Sequence, residues 1–121
     1  MPSQERVQKL ISLAEAFRNI EAYRTFYADD MVAQDNRGPE RVGLEANIRN
    51  AEEFQKMVAR VNENRALFVL VQGDNVVIHW VLDVTLKNGE HLLLDELAYQ
   101  TWQDDKIVGE RFFYDPNAGG K

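Results

Sequence analysis

The chain predicts an α+β fold in which N-terminal helices pack against one face of a curved, mainly antiparallel sheet. Three observations lead there. Apolar residues recur at helical spacing through the first half. From Arg65 onward the period changes to two and β-branched residues dominate. The strand-like runs are then broken only by short turn sequences.

Residues 4–27 read as helix, because Val7, Leu10, Ile11, Ala14, Phe17 and Ile20 follow i, i+3, i+4 spacing. Ser3 gives a partial start signal and Asn19 weakens the middle, so a break into two helices is expected there. The second piece carries Tyr23, Phe26 and Tyr27 and ends at Asp29-Asp30. Residues 31–35 form a short strand, and Asn36-Arg37-Gly38-Pro39 a turn. After Gly43 a second helix is expected, with Leu44, Ile48, Ala51, Phe54, Val58 and Val61 in one stripe. Four strands follow at 67–71, 76–86, 91–102 and 107–114. Their breaks are Gly73-Asp74-Asn75, Asn88-Gly89 and Asp104-Asp105, and Asn88-Gly89 is a two-residue hairpin signal. Residues 117–121 read as a loose tail.

The 121 residues and 14.0 kDa fit a single domain over 1–121, and 45% apolar residues suffice for a core. Twenty acidic against fourteen basic residues give a net charge of −6, which argues against a nucleic-acid groove or an anionic membrane surface. With no cysteine, disulfides, thiolate metal sites and thiol nucleophiles are excluded. The longest apolar run, 66–71, is far short of a membrane span, and residues 1–20 lack a signal-peptide core. The expectation is a cytoplasmic protein that uses no cofactor and no metal. Serine hydrolysis is excluded too, since Ser3 and Ser12 both lie near the first helix.

Alternation sorts the strand residues into two faces. One set holds Leu92, Leu94, Glu96, Ala98, Gln100 and Trp102, grouped with Val77, His79, Val81, Asp83 and Thr85 and with Val108, Glu110, Phe112 and Tyr114. The other holds Trp80, Leu82, Val84, Leu97, Tyr99, Ile107 and Phe113. Neither face is polar. The helices can cover only one, so the other is expected to pack against a second subunit as a homodimer.

The order of these elements resembles the SnoaL-like branch of the nuclear-transport-factor-2-like superfamily. The residues that carry the resemblance are an amphipathic helix ending Tyr27-Ala28-Asp29-Asp30, a strand ending Gln34-Asp35-Asn36, a Gly43-led helix, and a meander closing in Ile107-Val108-Gly109-Glu110-Arg111-Phe112-Phe113-Tyr114-Asp115. The resemblance implies a cystatin-like cone, its sheet curled around the helices and an apolar pocket. Ketosteroid isomerases, polyketide cyclases, scytalone dehydratase, limonene epoxide hydrolases and non-catalytic binders share that plan, so fold alone does not settle function. By the resemblance, Asp35 takes the place of a ketosteroid isomerase's catalytic base. The oxyanion-hole acid of those isomerases falls on Ala98 and their oxyanion-hole tyrosine nearest Ile11, so both donors are lost.

The implied reading is a small-molecule-binding protein, an isomerase, dehydratase, cyclase or hydratase working on an apolar or carbonyl-bearing ligand by carboxylate acid–base chemistry. Asp35 is the expected base, and Glu110 or Tyr114 the acid or hydrogen-bond donor. Tyr23, Tyr27, Val81, Asp83, Leu94, Glu96, Ala98 and Phe112 are the expected ligand-binding residues. Asp83, Glu96 and Glu110 facing one apolar cavity would repel, so one should keep a proton. The alternative is a non-catalytic ligand-binding module or a dimeric interaction module. For Asp35 the plainer reading is a turn residue capping backbone N–H groups; for His79 and His91 it is solvent-facing strand residues.

Overall fold

Ser3 begins the first helix. In the computed structural model, which describes residues 1–116, its side-chain oxygen accepts the backbone N–H of Arg6 at 3.1 Å. That satisfies one of the donors a helix start leaves free. Helix α1 (Gln4–Glu15) buries Val7, Leu10 and Ile11. It ends where Phe17 adopts φ 60 and the Arg18 N–H reaches back to the Leu13 carbonyl. Helix α2 (Asn19–Phe26) follows, burying Ala22 and Phe26, so the expected break occurs just ahead of Asn19.

Tyr27 opens a strand rather than closing a helix. Strand β1 (Tyr27–Asp35) buries Tyr27, Met31 and Ala33, and an irregularity in its pairing between Tyr27 and Val32 leaves Asp29 and Asp30 in solvent. The turn at 36–39 returns the chain as β2 (Glu40–Val42), which pairs Val32 with Val42 and Gln34 with Glu40. Three residues are too few to show a period, so this strand left no sequence signal. Helix α3 (Leu44–Met57) starts at Gly43, whose φ of 96 suits glycine, and buries Leu44, Asn47, Ile48 and Ala51.

The stripe read through Val61 is cut at Met57. Val58 and Val61 belong to β3 (Val58–Gln72), where they pair with Leu86 and Val84 of β4 (Asn75–Leu86). Both are β-branched, and the pairing that β4 offers over its whole length outweighs their helical spacing. With β5 (His91–Gln103) and β6 (Lys106–Phe113) the sheet has six strands in the order β2-β1-β6-β5-β4-β3. All neighbours are antiparallel except β1 and β6, which run parallel. The helices lie against one face. Val7, Leu10, Ile11, Phe26 and Ile48 close over Ile78, Trp102 and Ile107. The tail reading for residues 117–121 lies outside the described residues.

Two local features set the faces differently from the simple alternation. The β4–β5 connection is a three-residue loop, Lys87-Asn88-Gly89, closed by the Leu86 N–H on the Glu90 carbonyl at 2.8 Å, with Gly89 at φ 91. A two-residue turn would have paired Lys87 with Glu90. The extra residue pairs Thr85 with His91 and Trp80 with Glu96, which flips every β4 side chain relative to the expected grouping. Trp80, Leu82 and Val84 therefore lie inside, beside Glu96, Leu94 and Leu92. Val81 and Asp83, expected inside, face outward. The β5–β6 register also shifts between Thr101 and Trp102, placing Ile107 in the core. The outer face still exposes apolar side chains, contributed by Phe68, Leu70, Leu93, Leu97, Tyr99 and Phe113.

Candidate functional site

A cavity of about 140 Å³ lies between the helices and the concave face of β4, β5 and β6. Leu10, Phe17 and Ala22 form its helical wall, and Trp80, Leu82 and Phe112 its sheet wall. Phe17 is held at this wall by an edge-on contact with Phe54, their ring centres 6.3 Å apart. Two sets of polar groups line it, and a third, on β1 and β2, lies outside its lining residues.

The deepest set is closed. The Tyr27 hydroxyl donates to Glu110 Oε1 at 2.6 Å, Gln100 Nε2 donates to Oε2 at 2.8 Å, and the Trp102 indole donates to Gln100 Oε1 at 3.0 Å. Strand pairing creates this chain, because Gln100 sits opposite Glu110 and Ala33 of β1 lies beside it. Burial pushes the Glu110 carboxyl up from its ordinary range, against the lowering effect of the bonds from Tyr27 and Gln100. Burial also raises the Tyr27 phenol well above its usual value, with the Glu110 charge adding to the rise. Both carboxylate oxygens of Glu110 are thus occupied by protein donors.

The second set is open. Glu96 points into the cavity from β5, and among the described residues no hydrogen bond or ion pair reaches its carboxyl. Burial, followed by the nearby charges of Glu110 and Asp35, pushes it up to about 8. At neutral pH it is a neutral acid. Tyr23 faces it from α2, its ring 4.5 Å from that of Tyr27, and burial raises its phenol with Glu110 contributing. Its hydroxyl is likewise without a hydrogen-bond partner among the described residues.

The third set is an ion pair on β1 and β2. Asp35 aligns with Phe112 of β6, and its Oδ2 accepts Arg41 Nη1 at 2.5 Å, the side chains being 37% and 25% exposed. Asn47, buried in the first turn of α3, accepts Arg41 Nε at 3.0 Å and donates to the Arg41 and Gly43 carbonyls. The Asp35 side chain is thus engaged with Arg41, and it is the Asp35 carbonyl that accepts the Gly38 N–H of the turn. Tyr114 is tied nearby by its N–H to the Asn36 side chain, and its phenol is raised by burial and by the charges of Asp35 and Glu96.

Of the residues singled out in the sequence, Tyr23, Tyr27, Glu96, Glu110 and Phe112 line the cavity together. Leu94 lies on the same face opposite Leu82, and Ala98 is fully buried on that face opposite Ile78. Asp83 does not join Glu96 and Glu110; the third carboxylate whose charge acts on both is Asp35, which is not among the residues lining the cavity. On the outer face Asp83 binds His91 and Asn62, and these bonds lower its carboxyl below the usual range. His79 pairs there with Asp95 at 2.6 Å. Arg111 donates to the Asn36 carbonyl and stacks on Phe113. Trp80 and Leu82 were missed because of the loop register, and Arg41 because β2 carries no periodic signal. Gln100 shares the Glu96 face by simple alternation and was legible there. Among the described residues no three His, Asp or Glu side chains converge as a metal-binding group.

Helices seated in an unclosed, curved six-stranded sheet define an α+β cone. The sequence profile of the SnoaL-like domain matches residues 7–110, and the chain belongs to that family. A crystal structure from Mesorhizobium loti, provisionally named a SnoaL-like polyketide cyclase, is 28% identical, with a TM-score of 0.82 over 94% of this chain and 100% of that one. A Catenulispora acidiphila protein with a ketosteroid isomerase-like fold, solved in complex with trimethylamine, is 18% identical (TM-score 0.77, covering 96% and 89%). An epoxide hydrolase of the limonene-epoxide-hydrolase-like type from M. tuberculosis is 13% identical (TM-score 0.72, 92% and 80%). No curated protein matches the chain. Among the described residues no helix is long and apolar enough to cross a membrane.

Proposed function

We propose that the protein is a cytoplasmic, cofactor-free enzyme that isomerises, dehydrates, cyclises or hydrates a small, mostly apolar molecule by acid–base chemistry. The observation behind this reading is Glu96, an unpartnered acid raised to about 8 in a mainly apolar cavity. Such a group holds a proton at neutral pH and can give it up without a large energetic cost. Asp35 acts as the base, oriented by Arg41. Tyr114, which is close enough to feel the charges of both Asp35 and Glu96, donates to the ligand. Glu110 holds Tyr27 and Gln100 in place. Solved structures of the same fold are named for polyketide cyclase and epoxide hydrolase activity, which supports this reading.

The test is protein-dependent exchange of α-protons into deuterated water, followed by proton NMR over a panel of cyclic and aryl ketones. Exchange that disappears in Asp35→Asn supports the proposal. Ligands that bind without exchange support the alternative, a binding module without turnover.

A second copy of the chain is the proposed cover for the outer sheet face. Phe68, Leu97 and Phe113 lie there on β3, β5 and β6 at 56%, 43% and 39% exposure, and the helices already occupy the other face. Light scattering should give twice 14.0 kDa for the wild type and a monomer for Phe68→Lys/Leu97→Lys. A monomeric wild type at micromolar concentration contradicts the dimer.

A further inference from the structure

We propose that the open edge of β3 is a self-association surface, on which two copies of the chain join their sheets by antiparallel pairing of residues 67–71. It is separate from the outer-face contact proposed above. β3 stands at one end of the strand order, and among the described residues no strand lies beside its far edge. The N–H and C=O groups along such an edge are a template for another extended chain. Folded proteins usually guard them with charges, bulges, short strands or a covering element.

Here the guards are unevenly placed. The other edge, β2, has only three residues, Glu40 and Arg41 among them. The first part of β3 carries Arg60, Glu63 and Arg65 together with irregularities in its pairing. The end of α1 closes over it there, since Asn64 Nδ2 donates to the Ala14 carbonyl at 2.6 Å and the Ala66 N–H to the Glu15 carboxylate at 3.0 Å. Beyond Ala66 the guards stop. Residues 67–71 read Leu-Phe-Val-Leu-Val without a charge. From Phe68 onward they pair with β4 without interruption, and Leu67 to Leu70 are all exposed.

The exposure lies on both sides of the strand, which distinguishes an edge from a face. Phe68 and Leu70 stand opposite His79 and Val77 on the outer side, where a copy on the outer face would cover them. Val69 stands opposite the buried Ile78 on the helix side, and Leu67 is the extra residue between Ala66 and Phe68. Val69 and Leu67 are 37% and 47% exposed, and a partner on the outer face would leave Val69 bare.

The occupant is a second copy because the segment complements itself. A two-fold axis perpendicular to the sheet at Val69 runs the two strands antiparallel and keeps each face on its own side. Leu67 then meets Val71 and Phe68 meets Leu70, apolar against apolar at every position. The same register brings Arg65 of one copy to the Gly73-Asp74 turn of the other. Both charged side chains are exposed and bound within their own copy, Arg65 to Glu63 and Asp74 to the Met1 amino group, so opposite charges meet at both ends of the paired segment. Five residues a side bury less surface than a stable interface needs. The pairing therefore forms at high protein concentration, whether the associating unit is a monomer or an outer-face dimer.

Sedimentation velocity from about 10 µM to about 500 µM tests the pairing, with hydrogen exchange of the β3 amides followed by NMR at both ends of that range. The wild-type mass should rise toward about twice its low-concentration value, and exchange within 67–71 should slow by at least about threefold. Val69→Lys and Leu67→Glu put a charge on the edge and away from the outer face. Both should keep the low-concentration mass throughout, with circular dichroism confirming the fold. Leu97→Lys, on the outer face, should still associate at high concentration. Constant wild-type mass with unchanged exchange overturns the inference without needing any variant, and leaves the edge to a segment of another protein. A rise in mass that survives in both edge variants, or that vanishes in Leu97→Lys, also overturns it, because the contact then lies elsewhere. The low-concentration mass, 14.0 kDa or twice that, decides the outer-face dimer separately.

Discussion

Replacing Glu96 by glutamine should stabilise this protein, by an amount that grows with pH. In the folded chain the Glu96 carboxyl is raised from 4.5 to about 8 by burial and by the charges of Glu110 and Asp35. A raised acid favours folding least where the unfolded chain would ionise it. Below pH 4.5 both states are protonated and Glu96 costs nothing. Between 4.5 and about 8 the unfolded state sheds its proton and the folded state does not, so wild-type stability falls with rising pH. Above 8 both are ionised and the loss stops growing. At about 1.4 kcal/mol per pH unit, the cost is about 3 kcal/mol at pH 7 and about 5 kcal/mol at pH 9. Glutamine keeps the shape and removes the titration. Urea denaturation of both proteins at pH 4, 7 and 9 reads the difference, and titrations shared by both cancel. The expected result is equality at pH 4 and a growing advantage for Glu96→Gln above it. A variant no more stable than wild type at pH 9 would refute the reasoning, because Glu96 would then be solvated or paired.

Other substitutions have defined outcomes. Asp35→Asn should lower stability by about 1 kcal/mol near neutrality, because the partly buried Arg41 loses its ion-pair partner; chemical denaturation at pH 7 measures it. Asn47→Ala should cost about 2 kcal/mol or more, since a fully buried amide that orients Arg41 and bonds two carbonyls is removed; thermal unfolding and the chemical shift of Arg41 Nε report both effects. Asp105→Gly should raise the melting temperature, corresponding to about 0.5–1 kcal/mol, because Asp105 sits at φ 64 in the β5–β6 turn.

The helical stripes and the strand alternation were legible because both periods are long enough to read. Val7, Leu10 and Ile11 became core for that reason, and the Glu96–Gln100–Glu110 face came together as alternation required. What was not legible depended on single residues. One extra residue in the loop before Glu90 moved Trp80 and Leu82 inward and Val81 and Asp83 outward, and an Asn-Gly pair signals a turn without fixing the loop length. Val58 and Val61 fit helix and strand equally well until β4 is present to pair with them. Arg41 escaped notice on a three-residue strand, yet it engages Asp35, the residue expected to be the free base. Glu96 stood in the sequence as one carboxylate among three; only the positions of Tyr27, Gln100 and Arg41 show which acid is left without a partner.

The most direct test of the acid–base cavity is the titration of Glu96 itself, followed by the NMR shift of its side-chain carboxyl carbon from pH 3 to pH 10. The account gives a midpoint near 8, well above the ordinary glutamate value of 4.5. It also expects the midpoint to fall in a Glu110→Gln variant, because one of the charges opposing ionisation is gone. A wild-type midpoint near 4.5 would contradict the account, since the one unpartnered acid of the cavity would then be ionised at neutral pH.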